Sequence, residues 1–237
     1  MPGIVEFLEK EKPDILVAQE VYNAKNNSLE DRFNSVELLK RSCNFFYDFF
    51  SPACIDVREE GKLENGNAIF SNFPIVKTNT VFFDVPFGER SGAIEGGGDY
   101  SMTPRNMQHA EIKIGEKNLN IFNTQGIWGM DGADNDRKLK MSETIISEVK
   151  DRENVILAGD FNLKPNTKTI GNIEKHLKNI FKDELRTTFN MKQKDNPGYA
   201  DAVVDMVFSN SDLKVIDHYC PDVDISDHLP LVATFEV

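Results

Sequence analysis

The spacing of apolar positions changes along this chain, and each change marks an element. Ile4, Val5 and Leu8 share one helical face, and Lys12-Pro13 closes that segment. Asp14-Ile15-Leu16-Val17-Ala18 is then a continuous apolar run of strand length that delivers Gln19 and Glu20 at its C-terminal end. Ser28 to Lys40 predicts a helix, with Ser28 and Asp31 in capping-box positions. Phe45 to Phe50 is aromatic and strand-like, Asn67 to Ser71 is a short strand stopped by Pro74, and Val76 to Val85 is the next strand. Pro86 to Thr103, rich in glycine, predicts a long surface loop. Met107 to Ile114 and Leu119 to Thr124 are strands joined by Gly115-Glu116-Lys117, a hairpin signal. A helix follows from about Asp136 to Val149, then a buried strand from Asn154 to Ala158 and a weak helix near Ile173 to Ile180. Strands over Val203 to Phe208, Lys214 to Tyr219 and Leu231 to Phe235 complete the pattern.

Strands outnumber helices, and hairpins mix with βα steps. The fold class expected is therefore α/β (α+β), a sandwich of mixed sheets and not a doubly wound parallel sheet. The 237 residues suit one domain over 1–237, since no linker, repeat or low-complexity stretch divides them. The net charge of −12 counts against a long polyanion as partner, because phosphate neutralisation by Lys and Arg supplies that affinity. Cys43, Cys54 and Cys220 are odd in number and widely spaced, so neither a disulfide framework nor a zinc site is expected, and a reducing, cytoplasmic setting fits. No apolar run spans a membrane, and the first residues show no secretory signal.

Candidate chemistry sits where buried strands end in polar residues. Gln19-Glu20 closes the first strand. Gly159 breaks the strand Val155 to Ala158 and presents Asp160 and Asn162 two residues apart, either as an acid and amide facing one pocket or as an Asx-type turn. Asp205 lies inside the apolar run Ala202 to Phe208, where an acid is costly unless paired, and a buried Asp bonded to backbone is the alternative. Ser226-Asp227-His228-Leu229-Pro230 sets an acid and an imidazole before the last strand, and Pro230 holds the preceding backbone extended. Oxygen ligands of this kind suit Mg²⁺ or Mn²⁺, and an imidazole beside a carboxylate suits phosphoryl transfer.

Together Pro13 to Glu20, Gly66 to Ile75, Gly159-Asp160-Phe161-Asn162, Asp205 to Ser209 and Ser226 to Pro230 resemble, in order, the motifs of the endonuclease/exonuclease/phosphatase superfamily, to which deoxyribonuclease I belongs. The resemblance implies a four-layer sandwich of two mixed β-sheets flanked by helices. It implies that Glu20 binds the metal, with Asp227 in a metal or outer position. Asp160 then orients or deprotonates water, Asn162 holds the phosphate or nucleophile, His228 contacts the phosphate and Asp205 orients it. Arg105 stands near where the family often has a phosphate-binding Arg, and a plain surface charge is the alternative. Where the family has His or Tyr, this chain has Gln125, which can donate a hydrogen bond but not act as an acid. The family also carries a strand with a metal-site Asn ahead of the first helix. This sequence starts at that helix, so the strand at 14–18 is expected to have an open edge through which the chain could self-associate. The function expected is a metal-dependent hydrolase of a phosphodiester or phosphomonoester, on a small molecule or lipid headgroup in preference to long nucleic acid. A structure-selective nuclease of the apurinic/apyrimidinic type and a degenerate binding protein are the alternatives.

Overall fold

Alternate residues of a strand point to opposite faces, and the long strands here are buried on both. The computed structural model describes residues 1–26, 28–91 and 100–237. Its elements are α1 (Pro2–Glu11), β1 (Ile15–Tyr22), α2 (Ser35–Ser42), β2 (Tyr47–Arg58), β3 (Gly61–Ser71), β4 (Ile75–Phe82), β5 (Gly88–Ser91), β6 (Asn106–Ile114), β7 (Lys117–Gln125), α3 (Asp136–Val149), β8 (Val155–Asp160), α4 (Lys168–Ile173), β9 (Lys178–Asn179), β10 (Asp205–Ser209), β11 (Lys214–Tyr219) and β12 (Val232–Glu236). One sheet has the order β1-β3-β2-β5 and the other β4-β6-β7-β8-β10-β9; β11 and β12 form a separate pair. Both large sheets are mixed: β2 and β5 run parallel in the first, as β7 and β8 do in the second, while their other pairs are antiparallel.

Four layers follow from which face each residue takes. Ala68 and Phe70 of β3 pack against Leu8 of α1 and Val36 and Leu39 of α2. Ile69 points the other way, into a cluster with Ala110, Ile112 and Ile121 of the second sheet. Phe122, Val155 and Leu157 on that sheet's far face meet Met141, Ile145 and Val149 of α3 and Ile170 and Ile173 of α4. The α3 residues are spaced i, i+4, i+8, one helical stripe. Each such side chain, fully buried, is worth about 1.5–3 kcal/mol. Asn135 caps α3 by accepting from the Lys138 N–H, and Thr167 caps α4 by accepting from that of Ile170.

Several boundaries differ from the sequence reading. The helix expected over 28–40 begins later, as a 3₁₀ turn at Asp31–Asn34 leading into α2. Ser28 makes no cap, because its N–H and hydroxyl both bond the Asn26 side chain. The aromatic strand continues through Ser51 to Arg58 and returns as the first half of β3. The weak helix sits earlier, at 168–173, where Thr167 supplies a cap, and residues 178–179 pair with β10 instead. The expected loop 86–103 holds a strand, β5, because Arg90 lies opposite Asp56 in the sheet. Asp56 is fully buried, and Tyr22 Oη (2.6 Å), Arg90 Nη2 (2.9 Å) and Arg58 Nη1 (3.3 Å) surround its carboxylate. The rest of that expectation, residues 92–99, lies outside the described residues. Among the described residues β1 pairs with β3 alone, so its other edge is open.

Toward one end of the sandwich the contact between sheets is polar. Asn123 of β7 shares its amide protons among Ala18 O, Ala68 O and Gln108 Oε1, each at 3.0 Å, and its Oδ1 accepts from Gln19 Nε2 at 2.6 Å. Asn67 bonds Asn106 Oδ1 at 2.8 Å, and Gln108 bonds Phe49 O at 2.9 Å. These bonds lock the register of one sheet over the other. Asn123→Ala should therefore cost about 3 kcal/mol, since it strands several buried partners at once. Urea unfolding measures this, and a loss below about 1 kcal/mol would mean the network does not hold the sheets.

Candidate active site

Polar residues gather at the strand ends on this side of the sandwich. In the β8–β10 pairing Asp160 and Asp205 are directly opposite, and Gln125 of β7 is the other neighbour of Asp160. Gly159, at φ 146°, permits the approach: a Cβ there would lie 1.9 Å from Thr124 O. After Asp160 the chain turns sharply, with Asn162 in the left-handed region at φ 52°. Asp160 Oδ1 accepts the Asn162 N–H (2.8 Å), and its Oδ2 accepts from Asn162 Nδ2 (3.0 Å). Of the two alternatives in the sequence, the Asx-type turn is the one these hydrogen bonds form.

His228 Nδ1 donates to Asp205 Oδ2 at 2.8 Å. Its ring lies 4.6 Å from that of Phe189, and the two residues form a β-bridge. The segment Thr188-Phe189-Asn190, which sequence reasoning passed over, holds both halves of this pair. Thr188 Oγ1 accepts the Val204 and Asp205 N–H groups, Thr188 O accepts the Leu229 N–H, and Asn190 Nδ2 donates to Ser226 O. Its one available signal was a hydroxyl and an amide flanking an aromatic.

Burial and the charge of Asp205 push Asp160 up to about 7. Burial alone lowers His228, but the charge and hydrogen bond of Asp205, with Asp160 and Asp227 behind them, push it up to about 9. The imidazolium is thus the favoured form at neutral pH, and the group titrates as part of one coupled set.

Glu20 lies on a β-bulge, where the β1–β3 register shifts between Ala18 and Val21, at φ 56°. Its carboxylate accepts from Gln125 Nε2 and lies 3.7 Å from Arg105 Nη1. Arg105 is no surface charge: it is 4% exposed, and its Nε has no partner among the described residues. Asp227 instead pairs with Lys194 at 2.5 Å, which holds its carboxyl below the usual range against the effect of burial. Among the described residues no three His, Cys, Asp or Glu side chains come together as a metal cage. Magnesium commonly takes only one or two carboxylates plus waters and substrate phosphate. Glu20, exposed beside Gln125 and Arg105, suits that requirement, whereas the Asp227 carboxylate is paired with Lys194. Arg137 closes the neighbouring loops through Asp84 and Ser101 O, and Trp128 sits edge-on to Tyr100 at 5.6 Å.

The model of the Endonuclease/Exonuclease/phosphatase family matches residues 2–228. No curated protein sequence matches the chain. Among solved structures, an endonuclease/exonuclease/phosphatase from Bacteroides vulgatus is similar at 17% identity and a TM-score of 0.69, over 99% of this chain and 88% of that one. The mannosyl-6-phosphatase Bt3783 of Bacteroides thetaiotaomicron is similar at 17% identity and 0.68, over 100% and 90%. The D. rerio TDP2 structure with a single-strand DNA product is similar at 14% identity and 0.70, over 100% and 91%.

The geometry of the Asp205–His228 pair sets a titration test. Asp205→Asn removes the anion that holds the His228 proton, so the His228 pKa should fall from about 9 by a unit or more. The ring carbon-bound proton signals of His228, followed by NMR from pH 5 to 11, report it. An unchanged midpoint would show that Asp205 does not set the charge of this ring.

Proposed function

Because this chain belongs to the Endonuclease/Exonuclease/phosphatase family, we propose that it hydrolyses a phosphodiester or phosphomonoester by attack of water. The observation that carries the reading is an imidazole held on Asp205 at 2.8 Å, with a second buried carboxylate, Asp160, opposite Asp205 in the sheet. Asp160, with its proton affinity near neutrality, takes the proton of the attacking water. Asn162 fixes the Asp160 carboxylate with two hydrogen bonds and meets the phosphate or nucleophile. Asp205 keeps Nδ1 of His228 as its donor, which leaves Nε2–H for a phosphoryl oxygen and sets a positive charge where negative charge grows. Arg105 and Gln125, both beside Glu20, supply further N–H donors to phosphate. Glu20 would hold Mg²⁺ or Mn²⁺, which supplies Lewis-acid stabilisation of the phosphoryl oxygens when bound.

The net charge of −12 supports a small phosphate ester or lipid headgroup over long nucleic acid, and the similarity to a mannosyl-6-phosphatase supports the same side. A nuclease is the second reading, supported by the similarity to TDP2 with its single-strand DNA product. Three free cysteines fit a reducing, cytoplasmic compartment, and no helix among the described residues is long and apolar enough to cross a membrane. The open edge of β1 offers a place for self-association.

Purified protein with Mg²⁺ or Mn²⁺ should turn over an aryl phosphodiester, sugar phosphates or a phospholipid headgroup faster than single-stranded or abasic DNA. Asp160→Asn and His228→Gln should each lower kcat by roughly a hundredfold or more. The rate should rise with pH as Asp160 loses its proton near 7 and fall as His228 loses its own near 9. A pH-independent rate would remove both residues from the chemistry, and faster cleavage of DNA would establish the second reading.

The metal is tested separately. Millimolar Mg²⁺ or Mn²⁺ should raise the melting temperature by mass action, and Glu20→Gln should abolish most of that rise. An equal rise in the variant places the ion elsewhere.

A further inference from the structure

Lys138 is the one lysine among the described residues that is fully buried, at 0% exposure. It stands in the first turn of α3, where the helix dipole is positive and a cation is disfavoured. Burial also lowers its proton affinity, with Asp131, Asp134 and Asp160 opposing that loss. No carboxylate among the described residues pairs with it directly. Leucine or methionine would fill this space without desolvating a charge. The ammonium instead donates to two main-chain carbonyls, Asn162 O at 2.9 Å and Ala133 O at 3.1 Å. It also occupies the room of an absent side chain: a Cβ on Gly129 would lie 2.9 Å from Nζ and 3.3 Å from Cε.

These contacts converge on one residue. Asn162 is left-handed at φ 52°, a conformation a non-glycine residue keeps only when its surroundings hold it. Its side chain bonds Gly126 O at 3.1 Å and Asp160 Oδ2 at 3.0 Å, and its carbonyl is held by Lys138. We propose that Lys138 is a positioning residue for the reaction: its caged ammonium clamps the Asn162 carbonyl and thereby aims the Asn162 amide and the Asp160 carboxylate at the substrate. This rests on the phosphoesterase reading for its kinetic consequence, but the clamp itself is readable without turnover.

Two variants approach the clamp from opposite sides. Lys138→Met removes the ammonium. Gly129→Ala leaves the lysine in place and drives its flexible end off the Asn162 carbonyl, at a glycine whose φ is not left-handed. Both should lower kcat on the order of tenfold to a hundredfold with KM within about twofold, because misplacement of a working group acts on the reacting geometry. In substrate-free protein, the side-chain amide signals of Asn162 in ¹⁵N–¹H spectra should shift in both variants. If Lys138→Met fails to fold, Gly129→Ala carries the test alone. Unchanged kcat together with unchanged Asn162 signals overturns the clamp, as does a loss of thermal stability with kcat preserved. If the wild-type protein hydrolyses no phosphate ester, the functional reading fails, and the Asn162 signals alone then decide whether Lys138 holds this turn.

Discussion

Two carboxylates facing each other across neighbouring strands are the constraint on which the site depends. Asp160 and Asp205 are register partners, and both cannot sit ionised in a buried place without a cation between or beside them. The imidazolium of His228 is that cation. Much of the nearby backbone is explained by the need to keep it there. Thr188 ties the start of β10 to the segment that carries His228, and Phe189 covers the ring. The same arrangement that relieves the repulsion sets one carboxyl near neutrality and one imidazole well above it, which is the division of labour that acid–base chemistry at neutral pH requires.

A sandwich of mixed sheets was legible in the sequence because apolar period and strand-end polarity are local signals, whereas the four layers followed only from the family resemblance. Asp160, Asn162, Asp205 and His228 could be picked out singly for the same reason, since each interrupts an apolar run where a polar group needs a partner. The parts that stayed hidden depend on contacts distant in sequence or on a break in the period. Glu20 was legible as an acid at a strand end, but its aim comes from the bulge between Ala18 and Val21, which no alternation rule anticipates. Strand β5 looked like loop because its reason for pairing is Arg90 meeting a buried Asp56 from a strand 34 positions away in sequence. Nothing in the sequence sets Lys138 apart, and only the fold bonds it to the Asn162 carbonyl. Thr188 and Asn190 have no pattern at all until the chain has closed on itself.

Glu20, on the bulge inside β1, and Asn162, just past the end of β8, share an unusual feature, a left-handed backbone at a residue of the proposed site. Each is held by its neighbours: Gln125 and Arg105 beside Glu20, Lys138 and Gly126 around Asn162. Local strain of this kind persists only where the surroundings over-determine it. The rigid element beneath these positions is the pair of sheets, so the loops that follow them can vary in length and composition without disturbing the residues of the proposed site.

The amide network between the sheets has a consequence for temperature. Unfolding apolar contacts raises the heat capacity, whereas exposing polar groups lowers it, so the two kinds of contact weaken in different directions as temperature changes. Ile69, Ala110, Ile112 and Ile121 join the sheets by apolar burial. Asn67, Asn106, Gln108 and Asn123 join them by hydrogen bonds at the end that bears the site. Cooling therefore loosens the apolar region relative to the amide-bonded one, and warming does the reverse. The proposed site rests on the part of the sandwich that holds best in the cold.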